Sequence, residues 1–395
     1  MHMIRISRIR CRAIVLAAAS SAITLDAIAA RQEPVERHET VEATLDRGAA
    51  QGDVMIFNGA SGGYDTADYK KWGRNVWTCV QDRSAMVGAC PTEPAFHHSQ
   101  GKSTQIRLLF KEEKAGATAV LNLHGESKLA RHLDCNGKAI PEYVSQDPVP
   151  IENAAALWAG CKADIGWDER KLFVRIPAVE LKKLPSGGTW TAKLLLVFRM
   201  KPHGSWIQDP YSFRGVFSAA IRLKVTDKNN IQIYLPDFKS ATPVVDLKLR
   251  TLSNGSRVSG TSSVDMCLYD GYNAQSTWFD VSASDGLTID RRDKGSYSVL
   301  LDKDKSGADA SRIDYKASLT YAGAEFELPN NETVRLKGVN NEAGRKVALP
   351  GIPVPVVCTP TPLTLKTPEV EVASKHPGKY SNKLTVKFTP SSVSL

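Results

Sequence analysis

The chain ends in a segment, Gly378 to Pro390, whose alternating hydrophobicity defines its local structure. Leu384, Val386 and Phe388 alternate with polar residues, so an extended backbone places all three side chains on one face. A glycine opens the segment and a proline closes it, which is typical of strand boundaries. The pattern predicts a half-buried strand at the end of the fold, and such a strand must pair with a sheet.

The rest of the chain shows short strand patterns separated by turns, without long helical periodicity. Only 151–160 and 179–184 have the character of short helices. Strands are predicted at 54–57, 104–110, 117–123, 172–176, 190–200, 219–225 and 231–235 in the first half, and at 244–249, 263–269, 277–282, 296–301, 313–321, 334–336 and the terminal segment in the second. The sequence therefore predicts an all-β protein with two immunoglobulin-like β-sandwich domains in tandem.

The domain boundaries follow from changes in composition. Residues 1–29 combine a basic start, a short apolar run and an Ala-Ile-Ala motif, as in a secretory signal peptide. Residues 30–237 are assigned to the first domain, beginning with a polar arm, residues 30–52, that is predicted to be flexible or loosely attached. A hairpin of 221–225 with 231–235 is predicted to end this domain. A linker with a proline, 238–243, precedes the second domain, residues 244–395.

The chain is mildly basic. It contains 51 Lys and Arg residues against 42 Asp and Glu residues, a net charge of +9. The signal segment accounts for three of these charges, so the exported chain carries about +6, spread along its length. A solvated surface explains this charge, which would also favour an acidic partner such as a sialylated or sulphated glycan. The chain carries no nucleic-acid-binding motif, and no nucleic-acid partner is predicted.

Six cysteines follow the signal segment, an even number that indicates disulfides in an exported chain. They can pair in many ways, and neighbour pairing is the simplest. A zinc site is the competing use of cysteine, but the chain lacks a Cys-x-x-Cys motif. We therefore predict neither a metal nor a cofactor, and we predict the disulfides Cys79–Cys90, Cys135–Cys161 and Cys267–Cys358.

Two sequence features resemble enzyme sites without the context that such sites need. Gly59-Ala60-Ser61-Gly62-Gly63 matches a nucleophile elbow, but no helix is predicted behind it, so a glycine-rich turn is expected. The histidines have no metal-binding spacing, and surface or core roles are expected for them. They are His97, His98, His124, His132 and His203. Catalysis is therefore not predicted.

The segment from Arg199 to Arg214 interleaves cations with aromatic residues between two predicted strands. Trp206 can stack on a sugar ring while an arginine pairs with a carboxylate or sulphate group. In the alternative interpretation, the aromatic side chains of this loop fold back onto the core. The sequence leaves both interpretations open.

The terminal segment, together with Asp265 to Tyr272, resembles the pilin domain of tip subunits of class 5 fimbriae. These fimbriae belong to the alternate chaperone–usher pathway, which also builds cable pili. The resemblance implies that the second domain is an immunoglobulin-like fold that lacks one strand. Leu384, Val386 and Phe388 would line its open groove, and would contact first a periplasmic chaperone and then a donor strand from the major pilin subunit.

The resemblance also implies a position and a role. Residues 30–52 lack the long apolar alternation of a donor strand, as expected of a subunit at the tip. Family adhesins bind host receptors through arginines, which by position implies Arg214 and then Arg199, with Trp206 as a stacking platform for a glycan or protein receptor. The expected protein passes the periplasm and an outer-membrane usher, initiates fimbrial assembly at the cell surface and adheres to host cells. The alternative is a secreted two-domain carbohydrate- or protein-binding module unrelated to pili.

Overall fold

The computed structural model describes residues 30–68, 71–95, 102–154, 167–200, 211–240, 242–253 and 255–394. Nearly all regular structure in these ranges is β, which confirms the predicted all-β, two-domain fold. The predicted signal peptide lies outside the described residues. None of the helices in the described ranges is both long and apolar enough to cross a membrane.

The described elements of the first half are β1 Arg31–Gln32, β2 Arg37–Asp46, β3 Val54–Ser61, β4 Tyr64–Asp65, β5 Val76–Cys79, β6 Thr104–Glu112, β7 Thr118–Leu133, β8 Ala139–Val144, β9 Val149–Pro150, β10 Glu169–Ile176, α1 Ala178–Leu181, β11 Gly188–Met200 and β12 Ser212–Thr226. Ten of these strands form one sheet with the order β2-β12-β11-β6-β7-β10-β3, to which β5, β8 and β9 add at β11 and β7. Strands β1 and β4 form a separate pair. Helix α1 overlaps the predicted helix 179–184, and most of the other predicted helix lies outside the described residues.

The prediction that residues 30–52 form a flexible arm is wrong for residues 37–46, because these form β2, which pairs along its whole length within this sheet. It runs parallel to β12 in continuous register from Arg37 opposite Phe217 to Asp46 opposite Thr226. Val41, Ala43 and Leu45 alternate along it and pack against the first core. The short apolar alternation was therefore sufficient to form a strand, because β12 supplies the backbone partners.

The described strands of the second half are β13 Gln232–Tyr234, β14 Arg250–Thr251, β15 Arg257–Val264, β16 Cys267–Tyr269, β17 Trp278–Ser284, β18 Tyr297–Leu301, β19 Arg312–Tyr321, β20 Ala324–Glu327, β21 Thr333–Lys337, β22 Arg345–Val347, β23 Val356–Pro360, β24 Leu363–Glu371, β25 Tyr380–Ser381 and β26 Thr385–Pro390. They form three smaller sheets with the orders β13-β16-β23-β22, β14-β15-β24-β19-β18-β25 with β20 on β19, and β21-β17-β26. Short 3-10 turns occur at Lys228–Asn230, Asp309–Ser311, Val339–Asn341, Val372–Ser374 and Ser391–Ser394.

The hairpin predicted from 221–225 and 231–235 does not form. Strand β13 pairs with β16, from Gln232 opposite Tyr269 to Tyr234 opposite Cys267, while β12 pairs with β11 and β2. Phe238, in the predicted linker, packs against the second core. We therefore propose that the domain boundary lies at the turn Lys228–Asn230, rather than at 238–243.

The buried hydrophobic residues divide between the two halves. The first core contains an aromatic cluster of Trp77, Phe198 and Phe217, whose ring centroids lie 5.2 to 5.5 Å apart. The second half has two cores. The larger one, around Phe279 and Leu319, is the second core of this description, and the smaller one includes the disulfide Cys267–Cys358. The first half contains Cys79–Cys90. Both pairs agree with neighbour pairing. Cys135 is also disulfide-bonded, and Cys161 lies outside the described residues.

The two halves are joined by polar contacts as well as by the chain. The Lys114 Nζ, from the turn between β6 and β7, donates to the backbone carbonyls of Ala274, Asn340 and Glu342 at 2.7, 2.9 and 3.2 Å. Ala115 beside it is buried within the core of the second half. Strand β11 begins at this junction and runs 13 residues away from it, roughly 40 Å, to Met200. The end of the first half near Met200 is called here the distal end.

Candidate functional site

The last strand lies at the edge of its sheet. On one side, β26 pairs with β17 without interruption, from Thr385 opposite Ser284 to Pro390 opposite Phe279. On the other side, no strand of the described residues pairs with it. The backbone groups along that side are therefore available to another extended chain.

The apolar face of this strand is incompletely covered. Leu384, Val386 and Phe388 pack against the second core but remain half-buried, whereas Phe279 on the neighbouring β17 is fully buried. The rings of Phe388 and Phe279 meet edge to face at 5.5 Å. An open backbone edge beside an incompletely covered apolar face is the geometry of a groove that lacks a strand.

The strand predicted at 244–249 does not form. Val245 and Leu247 pack against the second core, while Val244 is 95 % exposed. Lys248 adopts a positive φ of 55°, which is incompatible with a regular strand, and pairing begins only at β14. The segment thus presents a second stretch of apolar side chains to the same core without a strand partner of its own among the described residues.

Arg214 lies on β12 and not in a loop, contrary to the prediction. Phe198 pairs with Gly215 and Arg199 pairs with Phe213, so Arg214 is the extra residue of a β-bulge. Bulges redirect side chains out of the regular alternation. Arg214 is exposed next to the 63 % exposed Phe213. Among the described residues, Arg214 has neither an ion pair nor a hydrogen bond from its guanidinium group.

Arg199 has a different environment, although it lies across the bulge from Arg214. Its side chain is half-buried and donates to the Thr78 hydroxyl at 3.3 Å and to the Thr92 carbonyl at 3.2 Å. The Glu93 carboxylate lies 3.6 Å from it. Arg199 therefore ties β11 to the neighbouring loop. Trp206 falls in 201–210, outside the described residues.

Ser61 is not part of a nucleophile elbow. It ends β3, is buried, and is followed by the short strand β4 rather than by a helix. Its hydroxyl donates a hydrogen bond to the Glu169 carboxylate. The turn interpretation of this glycine-rich segment therefore agrees with the structure.

One group of possible metal ligands could not be found from the sequence pattern. At the distal end, His132, Glu142 and Glu169 bring their ligand atoms within 4.8 Å of one another. The three residues come from β7, β8 and β10, ten and 27 positions apart, and no local motif links them. The register of the sheet alone brings them together.

Comparison with known proteins covers both halves. The family model for the first domain of CfaE, the E subunit of CFA/I fimbriae, matches residues 26–228, and the model for its second domain matches residues 231–392. The CFA/I fimbrial protein CfaE of Escherichia coli is 29 % identical over 357 residues, which cover 89 % of each chain.

Solved structures give the same result. The crystal structure of CfaE, the adhesive subunit of the CFA/I fimbria of enterotoxigenic Escherichia coli, matches with a TM-score of 0.73 and 26 % identity, and the match covers 91 % of this chain and 94 % of that one. A chaperone–tip adhesin complex of CFA/I fimbriae biogenesis matches with a TM-score of 0.64 and 25 % identity, over 91 % and 98 % of the two chains.

Proposed function

Because this chain belongs to the CfaE family of CFA/I fimbrial proteins, we propose that it is the adhesive tip subunit of a fimbrium and initiates its assembly. The relatives that match along nearly the whole chain are fimbrial subunits, one of them named as adhesive. They favour this function over that of a secreted binding module unrelated to pili. The proposal involves binding and assembly without catalysis. The Ser61 hydroxyl, which is hydrogen-bonded to the Glu169 carboxylate, is consistent with it.

The observation that carries the assembly role is the unpaired edge of β26 beside the half-buried Leu384, Val386 and Phe388. An added strand would pair with this edge while its alternate side chains fill the groove. We assign this place first to a periplasmic chaperone, during export to the outer-membrane usher, and then to the donor strand of the major fimbrial subunit. The finished protein would then be displayed at the fimbrial tip on the cell surface.

The position at the tip is supported by the N-terminal strand. A subunit within the fibre must donate its N-terminal segment to its neighbour, so that segment has to be free. Here residues 37–46 form β2, which pairs along its whole length with β12 of the same chain. This segment is already part of the first sheet, so the subunit accepts a strand without donating one.

Adhesion is assigned to the distal end of the first half, with Arg214 as its principal cation. Arg214 and Phe213 provide an exposed guanidinium beside an exposed aromatic ring, a combination that suits an anionic or polar receptor with an apolar face. Arg199 is assigned a supporting role, because its donors are used within the domain. Trp206 remains proposed as a stacking residue.

The assembly role is tested by charging the groove. Val386→Asp places a carboxylate on the apolar face of β26, where burial without a partner is costly, and we expect capture by the coexpressed chaperone to be lost. Lys387→Asp is the matched control, because Lys387 is exposed on the same strand. Recovery of the Val386→Asp protein with its chaperone at the yield of the Lys387→Asp protein would reject the groove.

The adhesive role is tested separately on assembled fimbriae. Arg214→Ala should weaken adherence to host cells without changing assembly, while Lys193→Ala, at an exposed cation on β11, should change neither. A glycan array with whole fimbriae distinguishes a glycan receptor from a protein receptor. If the Arg214→Ala fimbriae adhere as well as wild-type fimbriae, the receptor site lies elsewhere.

A further inference from the structure

The distal end of the first half gathers a histidine and two glutamates on one face of its sheet. Strand β7 lies between β8 and β10, pairing Ala130 with Glu169 and Arg131 with Tyr143. Because side chains alternate along a strand, His132 lies on the same face as Ala130, and therefore on the same face as Glu169. Glu142, next to Tyr143 on β8, faces the same space.

The imidazole of His132 is held with its Nε2 atom directed at Glu169. Its Nδ1 lies 3.0 Å from Asp168 Oδ1, and the other oxygen of the same carboxylate accepts the backbone N–H of His132 at 3.1 Å. The ring stacks on Tyr64 with centroids 3.9 Å apart. A carboxylate that accepts the Nδ1 proton leaves the lone pair on Nε2, the arrangement found behind metal-ligating histidines. Nε2 lies 3.5 Å from Glu169 Oε2.

The Glu169 carboxylate provides an independent indication of a missing ligand. The residue is only 1 % exposed, and its Oε1 accepts the Ser61 hydroxyl. Its Oε2 is buried and accepts no hydrogen bond from the described residues; His132 Nε2 lies 3.5 Å away without forming one. A buried carboxylate oxygen that accepts no hydrogen bond is costly, so a cation between Glu169 and His132 would stabilise it.

We propose that His132, Glu142 and Glu169 bind one divalent transition-metal ion, with Zn²⁺ as the best fit, supported by Asp168 behind the histidine. One imidazole nitrogen and two carboxylate oxygens match the ligands of zinc and leave a position open. Calcium fits less well, because it takes six to eight oxygen ligands. The site does not depend on the adhesive function proposed above.

Lys171 competes with a metal ion for one ligand of this site. The Lys171 Nζ lies 2.6 Å from the Glu142 carboxylate, which retains further lone pairs for a metal. The two remaining ligands, His132 and Glu169, make no ion pair with Lys171 among the described residues.

The test uses the full exported chain without a tag, freed of metal with a chelator. Zn²⁺ is titrated in competition with a chromogenic indicator, and Co²⁺ is added separately to record its visible absorption bands. We expect one ion per chain, with affinity lowered more than tenfold by His132→Ala or Glu169→Gln, and about 10- to 100-fold by Asp168→Asn. His124→Ala, on the same strand but outside the cluster, is the matched control and should bind as wild type does.

Two results would overturn the proposal. One is a wild-type chain that binds no stoichiometric Zn²⁺ and gives no Co²⁺ bands. The other is equal affinity in the wild-type, Glu169→Gln and His124→Ala chains. The wild-type titration decides the matter even if His132→Ala fails to fold, and Glu169→Gln preserves the size of the side chain.

Discussion

Strands β12 and β26 share an alternating pattern of apolar and polar residues but lie in different environments. β12 has a neighbour on each edge, β11 and β2, and its inward residues Phe217, Ala219 and Ile221 are at most 2 % exposed. Within the part of the chain that the structure describes, β26 has a neighbouring strand on one edge only, and its inward residues are half-buried. The alternation specifies which face of a strand is apolar. Whether that face is completely covered depends on which other strand is present.

The two disulfides should stabilise the two halves unequally. Cys267–Cys358 joins residues 91 positions apart, whereas Cys79–Cys90 spans 11. Restriction of the unfolded chain predicts a loss of about 4.6 kcal/mol for Cys267→Ala/Cys358→Ala and about 2.8 kcal/mol for Cys79→Ala/Cys90→Ala. Denaturant unfolding of the two double variants measures both losses. Equal losses would show that the length of the closed loop does not determine the stabilisation here.

Two phenylalanines test the completeness of the cores. Phe217→Ala removes a fully buried ring from the first core and should cost about 3–5 kcal/mol. Phe388→Ala removes a half-buried ring and should cost about 1 kcal/mol, because less apolar surface is lost from the core. Hydrogen exchange resolved for each half measures both.

The difference between these two losses should shrink when a donor-strand peptide is added, because the peptide would bury Phe388. A scrambled peptide is the control. If the cost of Phe388→Ala already equals that of Phe217→Ala without a peptide, the groove is closed in the free protein.

Buried carboxylates should also behave differently in the two halves. Burial raises the pKa of Glu112 in the first half. Burial also opposes ionisation of Asp285 in the second half, but hydrogen bonds from Asn330, from the backbone N–H groups of Leu287 and Ser298, and from Arg292 lower its pKa.

The two shifts have opposite consequences for pH dependence. A lowered pKa contributes stability that is present above the unfolded value of 3.8 and is lost as the pH falls through the folded value. A raised carboxylate pKa makes the folded state gain stability as the pH falls towards the unfolded value of 4.5. We expect Asp285→Asn to lower the stability of the second half by about 1.5 kcal/mol at neutral pH, and to reduce the further loss of stability as the pH falls. Thermal melts at several pH values measure this. If the variant loses as much stability at acid pH as the wild type does, other groups cause that loss.

Much of the fold could be predicted because alternation is a local signal. The positions of most long strands and the terminal strand followed from it. The partners did not, because pairing is decided by tertiary contacts. Residues 231–235 looked like the second strand of a hairpin with 221–225, but they pair with Cys267–Tyr269 instead. The segment 30–52 is too polar to predict that it packs against a core, yet its residues 37–46 pair with the backbone of β12.

The proposed functional residues differ in how far the sequence indicated them. Leu384, Val386 and Phe388 could be proposed as groove residues because they alternate within one short segment. The environment of Arg214 depends on a bulge, which the sequence did not reveal. The cluster of His132, Glu142 and Glu169 has no local motif, since the register of three strands brings it together. The strand predicted at 117–123 ends well before His132, which the structure places in β7, so no sequence signal indicated the cluster.

Hydrogen exchange at β26 tests most directly whether the second half is an incomplete sandwich. We predict that the amides of 385–389 exchange faster than those of β12 in the free protein, because no strand of the described residues covers the open edge of β26. A peptide of the major subunit's N-terminal extension should then protect β26 and leave β12 unchanged. Protection of β26 equal to that of β12 before the peptide is added, and unchanged after it, would show that the second half is already a complete sandwich.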